Sequence, residues 1–371
     1  MELTLDVLQR SLRAMHRGRA GRDDLIPLLA FDHPADVAEL HAVARHCQQV
    51  LGGPVIHLRG LIEMSNRCTR NCLYCGIRRD NLRVQRYHLG LGEIADAAAL
   101  AAEHRLGTVV LQSGERSDPA FIEYVARAVD TVRGVVGPEP ALTLSCGEQS
   151  AATYRRWRDA GADRYLLRVE TTNPDLYREL HPDAPDLGAR LDALRTLRAG
   201  DWQVGTGVMI GLPGQTLHDV ADDLLFFRDA DVDMVGMGPF VPHDQTPLAD
   251  RDHDVDPEAQ LLLALNAVAV TRLLLPEVNL VAATSLDALA PDGRERAILA
   301  GANVIMPNLT DAAHRALYRL YDGKPGTDPD DPDDDAGLDA LLPRLWRLGA
   351  PPALGERGDS RRWRRRIVDM V

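Results

Sequence analysis

The chain of 371 residues is 45% hydrophobic and 26% charged, enough apolar material for one large α/β domain with a substantial core. Its formal charge of -13 argues against non-specific nucleic-acid binding, which needs clustered Lys and Arg, and no apolar run is long enough to span a bilayer. The opening MELTLDVLQRSLRAMHRGR lacks the apolar core of a secretory signal, and three of the five cysteines share one loop, so a cytoplasmic protein without a disulfide framework is expected.

Residues 1–50 read as an N-terminal helical cap over one end of a barrel. Leu5, Leu8 and Leu12 sit at helical spacing, the run 34–50 is rich in Ala, Leu and Val, and Gly-Arg-Ala-Gly-Arg-Asp-Asp breaks the two. His33, His41 and His46 are expected at the surface or in packing. From residue 51 to 322 strand-like and helix-like segments alternate. The predicted strands are 55–64, 108–112, 141–146, 164–168, 203–210, 233–237, 279–283 and 303–306, with helices such as 92–105, 119–132, 187–197, 217–229, 258–275 and 292–300 between them. Repeated βα units imply parallel strands with right-handed crossovers, and eight of them close into a complete (β/α)8 TIM-type barrel.

Polar and glycine-rich text follows the carboxyl end of the predicted strands: Gln112 to Glu115, Ser145 to Glu148, Arg168 to Thr171, Gly211 to Gly214, Gly238-Pro239, Thr284-Ser285 and Met306 to Asn308. That end of such a barrel carries the active site. Residues 323–371 read as an acidic loop and a tail packed on the barrel. Lys324 to Gly337 is a Pro, Gly and Asp tract that cannot bury apolar surface, and it lacks the ligand spacing of an EF-hand calcium loop. The basic run Arg361 to Arg366 is expected to dock on the acidic body.

The stretch with the most specific chemistry is Ser65 to Asp80, SNRCTRNCLYCGIRRD. It sets Cys68, Cys72 and Cys75 in a C-x3-C-x2-C array with Tyr74 before the last thiol. Cluster binding by protein alone takes four cysteines, so three leave one iron of a 4Fe-4S cluster open to a small molecule. A structural zinc site or three inert thiols are the alternatives, but no second C-x2-C knuckle exists to complete a zinc ligand set. The spacing resembles that of the radical SAM (S-adenosylmethionine) superfamily.

Further candidates lie at the same barrel end. Arg190 is placed to pair with the adenosylmethionine carboxylate through its guanidinium fork, or is an exposed helix arginine. Arg168 and Glu170 alternate along an extended segment and point to one face, either toward a charged ligand or as a structural ion pair. Gly114 and Gly147 mark places where backbone approaches closely or takes positive φ. Gly211, Leu212 and Pro213 resemble the turn that brackets adenine in radical SAM barrels.

Beyond the cysteine loop, the text from Val55 to Tyr321 resembles the HydE family of FeFe-hydrogenase maturases. The matching stretches are CTRNCLYCGIRRDN, VVLQSGE, AGADRYLLRVETTNP, MIGLPGQT, VDMVGMGPF and GANVIMPN. The resemblance implies one 4Fe-4S cluster and reductive cleavage of S-adenosylmethionine to a 5'-deoxyadenosyl radical. It implies adenosylmethionine binding by Tyr74, Gln112, Glu170 and Arg190, and an anion-holding pocket of Arg59, Arg168, Thr284 and Met306. The substrate so implied is a cysteine-bound iron carbonyl cyanide precursor; the partners are HydG-type and HydF-type maturases and a ferredoxin or flavodoxin reductant. Three departures stand out. Ala283-Thr284 replaces a Thr-Thr pair, Arg168-Val169-Glu170 replaces Arg-His-Glu, and no cysteine follows Cys146, which excludes a second C-terminal cluster. A HydE-like paralogue acting on another small amino-acid-like anion and a non-catalytic cluster-binding scaffold are the rival readings.

Overall fold

The computed structural model describes residues 2–183, 186–249, 256–327 and 338–369. Strands β1 (Ile56–Ser65), β2 (Thr108–Ser113), β3 (Ala141–Ser145), β4 (Arg164–Leu166) and β5 (Gln203–Thr206) run parallel in chain order. The short β6 (Met209–Ile210) continues β5 after a break, and β7 (Met234–Pro239), β8 (Asn279–Ala282) and β9 (Val304–Ile305) follow. Pairing of His57 with Val304 and Leu58 with Ile305 closes the ring. The complete parallel barrel expected from the alternation is therefore present.

Its logic is the two-residue period of β1. Leu58, Ile62 and Met64 point outward into the main apolar core, while Leu61 and Glu63 line the interior cavity. Helices α4 (Leu91–Glu103), α5 (Pro119–Val136), α6 (Ala151–Asp159), α7 (Pro174–Leu180), α8 (Leu187–Ala199), α9 (Leu217–Asp229), α10 (Pro257–Leu274) and α11 (Gly293–Leu299) cover that outer face. In α5, Asp118 accepts from the N–H of Phe121 at 3.1 Å, Pro119 opens the first turn and Gly137 at φ 76° ends the helix. Its Phe121, Val125, Ala128, Val129 and Val132 form the buried stripe that meets the sheet.

One predicted strand is interrupted. At Gly207 an added Cβ would lie 1.7 Å from the carbonyl oxygen of Gly236, so the chain there runs hard against β7 and the ladder of β5 stops before β6.

The helices α1 (Glu2–His16), α2 (Arg22–Leu29) and α3 (Pro34–Gly52) lie along the flank of the barrel, against α9 and α10. They were expected over one end. Buried Leu25, Leu28, Leu40 and Ala44 face this flank, where Asn266 of α10 donates to Phe31 O at 2.9 Å and contacts His41 Nε2 at 3.0 Å.

The base of the barrel is sealed by later sequence. Between β9 and the end lie α12 (Ala312–Ala316), α13 (Leu338–Arg347), β10 (Pro352–Ala353) and α14 (Arg361–Asp369). β10 pairs with β1, Ile56 opposite Pro352. The next residues cross the base: Thr108 Oγ1 donates to Arg357 O at 2.9 Å, Asn279 Nδ2 to Gly358 O at 2.7 Å, and Arg164 Nη2 to Asp359 Oδ1 at 2.6 Å. Burial favours the neutral form of Asp359, but Arg164 and Arg357 outweigh it and hold the carboxyl down to about 2. In the basic run Arg362 pairs with Asp231, Arg366 with Asp231 and Asp233, and Arg365 with Glu277. The expected acidic loop at 328–335 lies outside the described residues. Among the described helices none is long and apolar enough to cross a membrane.

Candidate active site

The loop after β1 has no regular structure of its own and is held from outside. Gly114 N donates to Ser65 O at 2.9 Å, Thr69 N to Glu115 O at 2.8 Å, Leu73 N to Leu180 O at 2.9 Å and Gly76 N to Leu320 O at 2.9 Å. Arg86 donates to the carbonyls of Asn66, Ile77 and Arg78 at 2.6, 2.7 and 2.6 Å. Gly114 permits a close approach to the cysteine loop, since a Cβ there would lie 2.5 Å from Arg67 O and 2.8 Å from Cys68 Cβ.

So braced, Cys68, Cys72 and Cys75 line one cavity of about 360 Å³ at the carboxyl end of the barrel. The N–H groups of Arg70 and Glu115 lie 3.4 and 3.3 Å from Cys68 Sγ. Burial pushes all three thiols up, Cys72 to about 12, and Cys68 and Cys72 add their repulsion to Cys75. Three half-buried cysteines whose sulfurs oppose one another's ionisation are the donor set that metal ions convert to thiolates. The set fits a cluster held by three cysteines.

Beside the thiols lie two carboxylates between two arginines. Arg190, reaching in from α8, has Nε 2.6 Å from Glu148 Oε1 and 3.3 Å from Tyr177 Oη, and its Nη2 is 4.0 Å from Glu115. Arg70 pairs with Glu115 and lies 3.2 Å from Glu148. Burial opposes the Arg190 charge, but Tyr177, Glu148 and Glu115 more than offset it and raise the pKa. Arg190 is thus a buried, fixed cation in the cavity wall, not an exposed helix residue.

Tyr74 lines the cavity, with its hydroxyl 3.0 Å from His181 Nε2. Burial lowers His181 to about 4 and keeps its ring neutral. Gln112 also lines the cavity and contacts Tyr318 Oη at 3.4 Å. Arg168 and Glu170 do meet, at 2.9 Å, but the backbone at Glu170 is left-handed, φ 65°, and not extended as expected. Its N–H and carbonyl are bonded across to Gly207 and Met209, which fixes that conformation.

Thr284 and Met306 line the cavity, Thr284 with its Oγ1 2.8 Å from Tyr321 Oη. Gly211, Leu212 and Pro213 do not; Leu212 sits behind Tyr74 in a small apolar cluster with Leu180 and Phe240. Arg59 also lies off the cavity wall. It is buried, with Nη1 3.0 Å from Met234 Sδ and with Nε and Nη2 unpartnered among the described residues.

Residues 62–227 match the family model of the radical SAM superfamily. The chain is 44% identical over 313 residues to the [FeFe] hydrogenase maturase subunit HydE of Thermotoga maritima, covering 84% of this chain and 87% of that one. It belongs to the HydE family. More distantly, it is 26% identical to a 3-methylornithine synthase of Methanosarcina acetivorans over 89% of this chain and 90% of that one. The crystal structure of methylornithine synthase superposes with a TM-score of 0.78 at 25% identity, over 92% of this chain and 97% of that one.

As a HydE-family protein the chain is a radical SAM enzyme, with a 4Fe-4S cluster and S-adenosylmethionine as its cofactors. Its cavity also contains polar groups whose role the sequence does not announce. Glu115 and Glu148 stood in the strand-end text without a role, because their partners come from other loops. Lys324 was read as the start of an exposed acidic tract; it is buried, with Nζ 2.5 Å from Glu63 Oε1. One signal was available in the text: Lys324 is the single lysine of the chain.

Proposed function

We propose that this HydE-family enzyme acts on a cysteine-bound iron carbonyl cyanide precursor supplied by a HydG-type maturase, with the product passing to a HydF-type carrier. A ferredoxin or flavodoxin is the fitting electron donor. The observation that carries the reading is that one cavity is lined by the three thiols and by Arg168, Thr284 and Met306. A cofactor at the thiols and an anionic second ligand would then share one cavity.

Cys68, Cys72 and Cys75 would hold the cluster, which when reduced would supply the electron for splitting S-adenosylmethionine into methionine and a 5'-deoxyadenosyl radical. The chain's own part is position and field. Arg190, already charged and fixed by Glu148, takes the adenosylmethionine carboxylate, and Tyr74, Gln112 and Glu170 hold the remainder. Arg168 and Thr284 face the second ligand, with Met306 as apolar wall and Arg59 as a buried positive charge beyond the wall. Excluding water from such a cavity protects a reactive radical from stray hydrogen donors.

The test is an anaerobic maturation assay with this protein beside HydG, HydF and an apo FeFe-hydrogenase, read as hydrogen evolution. Activity that vanishes in Cys72→Ser supports the reading. A second reading rests on Ala283, which stands in the cavity wall where the family resemblance leads one to expect a hydroxyl. Cleavage of adenosylmethionine without maturation would favour that paralogue reading and another small anion. Absence of 5'-deoxyadenosine under reduction would leave a scaffold.

A further inference from the structure

Of the 42 Lys and Arg residues in this chain, one is lysine, and that one lines the cavity. Wherever else this sequence carries a fixed cation it uses arginine, so a surface role gives no reason for the exception. An ammonium differs from a guanidinium in being compact and offering three tetrahedral donors in place of a planar fork.

Two of those donors are spent. Lys324 Nζ donates to Glu63 Oε1 at 2.5 Å and to Tyr318 O at 2.7 Å, and it sits 5.0 Å from the centre of the Tyr318 ring. Glu63 has both oxygens engaged, the second by Asn308 Nδ2 at 3.0 Å. The other cations lining the cavity are arginines, each within ion-pair distance of a carboxylate: Arg168 of Glu170, Arg70 and Arg190 of Glu148, Arg294 of Asp287. Among the described residues Lys324 Nζ has these two acceptors, so one N–H of a tetrahedral ammonium is left for a ligand. A buried pair is costly to desolvate, and a ligand oxygen at the ammonium completes its hydrogen bonding.

We propose that Lys324, oriented by Glu63 and Asn308, is a carboxylate-binding subsite of this cavity, anchoring the α-carboxylate of an amino-acid-bearing substrate. The proposal deepens the functional reading above and rests on it for the cysteine moiety. The bland alternative is that the Glu63–Lys324 pair only straps the segment after α12 onto β1.

The experiment uses anaerobically reconstituted holoenzyme and two probes, L-cysteine and L-cysteinamide, which differ in the carboxylate. Calorimetry on wild type should show preference for L-cysteine, and Lys324→Met should lose about tenfold of that preference, the worth of one charge-assisted hydrogen bond. Lys324→Met leaves Glu63 without its cation, so Glu63→Gln/Lys324→Met serves as the folded control, with the same loss expected. Because the chain has one lysine, 13Cε-lysine labelling gives a single side-chain signal, which L-cysteine should shift and L-cysteinamide should not. A wild type that does not distinguish the probes, or variants that melt earlier yet keep the preference, would overturn the subsite. Neither outcome depends on hydrogenase maturation, so failure here and failure of the maturase reading are separable.

Discussion

Arg190 Nε lies 2.6 Å from Glu148 Oε1, so a buried cation of the cavity wall is paired with a carboxylate from the loop after β3 before any ligand arrives. Arg190→Ala should weaken adenosylmethionine binding by roughly 2 to 4 kcal/mol while iron and sulfide content stay at the wild-type level. Glu148→Gln keeps the Arg190 charge but loosens its aim, so a smaller loss is expected. Equilibrium binding on reconstituted protein measures both, and unchanged affinity in Arg190→Ala would remove it from the cofactor site.

Gly147 is at φ 74°, and an added Cβ would lie 2.1 Å from Glu115 Cγ. Gly147→Ala therefore combines a left-handed backbone with an overlap on a side chain that pairs with Arg70. We expect a loss of stability of about 2 kcal/mol or more, together with weaker adenosylmethionine binding, because Glu115 must move. Denaturant unfolding beside binding tests this; stability lost with binding intact would show that Glu115 tolerates displacement.

Arg59 is a buried cation to which no carboxylate hydrogen-bonds among the described residues. Burial and the nearby Arg164 drive its pKa well below the usual arginine value. Replacing such a group with an apolar side chain of similar length should stabilise the fold, so Arg59→Met is expected to raise unfolding free energy by about 1 kcal/mol or more. Adenosylmethionine cleavage should persist and turnover of the anionic substrate should fall, the trade expected when an unfavourable group is kept for function. Destabilisation in urea would show that the charge serves the fold.

Asp359 at the base ties stability to pH. Its folded carboxyl is held down to about 2, against about 4 for a free aspartate. The folded state therefore binds fewer protons, and the gain of roughly 2 kcal/mol is present above about pH 4 and is lost as pH falls toward 2. Unfolding free energies of wild type and Asp359→Asn should differ most near neutrality and converge in acid. A constant gap down to pH 3 would contradict the assignment.

The barrel was legible because strand and helix periods alternate strongly from Val55 onward, and the mouth was legible because glycine and polar text follows the strands. The cysteine loop named its own chemistry, since spacing within one loop is a local property. What escaped was non-local. Glu63 reads as an ordinary strand residue until Lys324, 261 residues later, is placed on it. Arg190 was found from its type, but its partner Glu148 depends on the packing of α8 against the loop after β3. The flank position of α1 to α3 was equally hidden, because an amphipathic helix announces that it packs and not where. The left-handed Glu170 carried no signal at all, being neither glycine nor asparagine.

The seal across the base also has a kinetic meaning. Thr108 on β2 is satisfied by a carbonyl 249 residues further along, and Arg164 on β4 by an aspartate 195 residues on. Until those residues have been synthesised and docked, an arginine destined for full burial faces an open barrel end. Pairings so distant in sequence form slowly. The nascent chain should therefore pass through a long-lived, open-ended intermediate, and a chain cut before Arg357 should collect in that aggregation-prone form even though every strand of the ring is present.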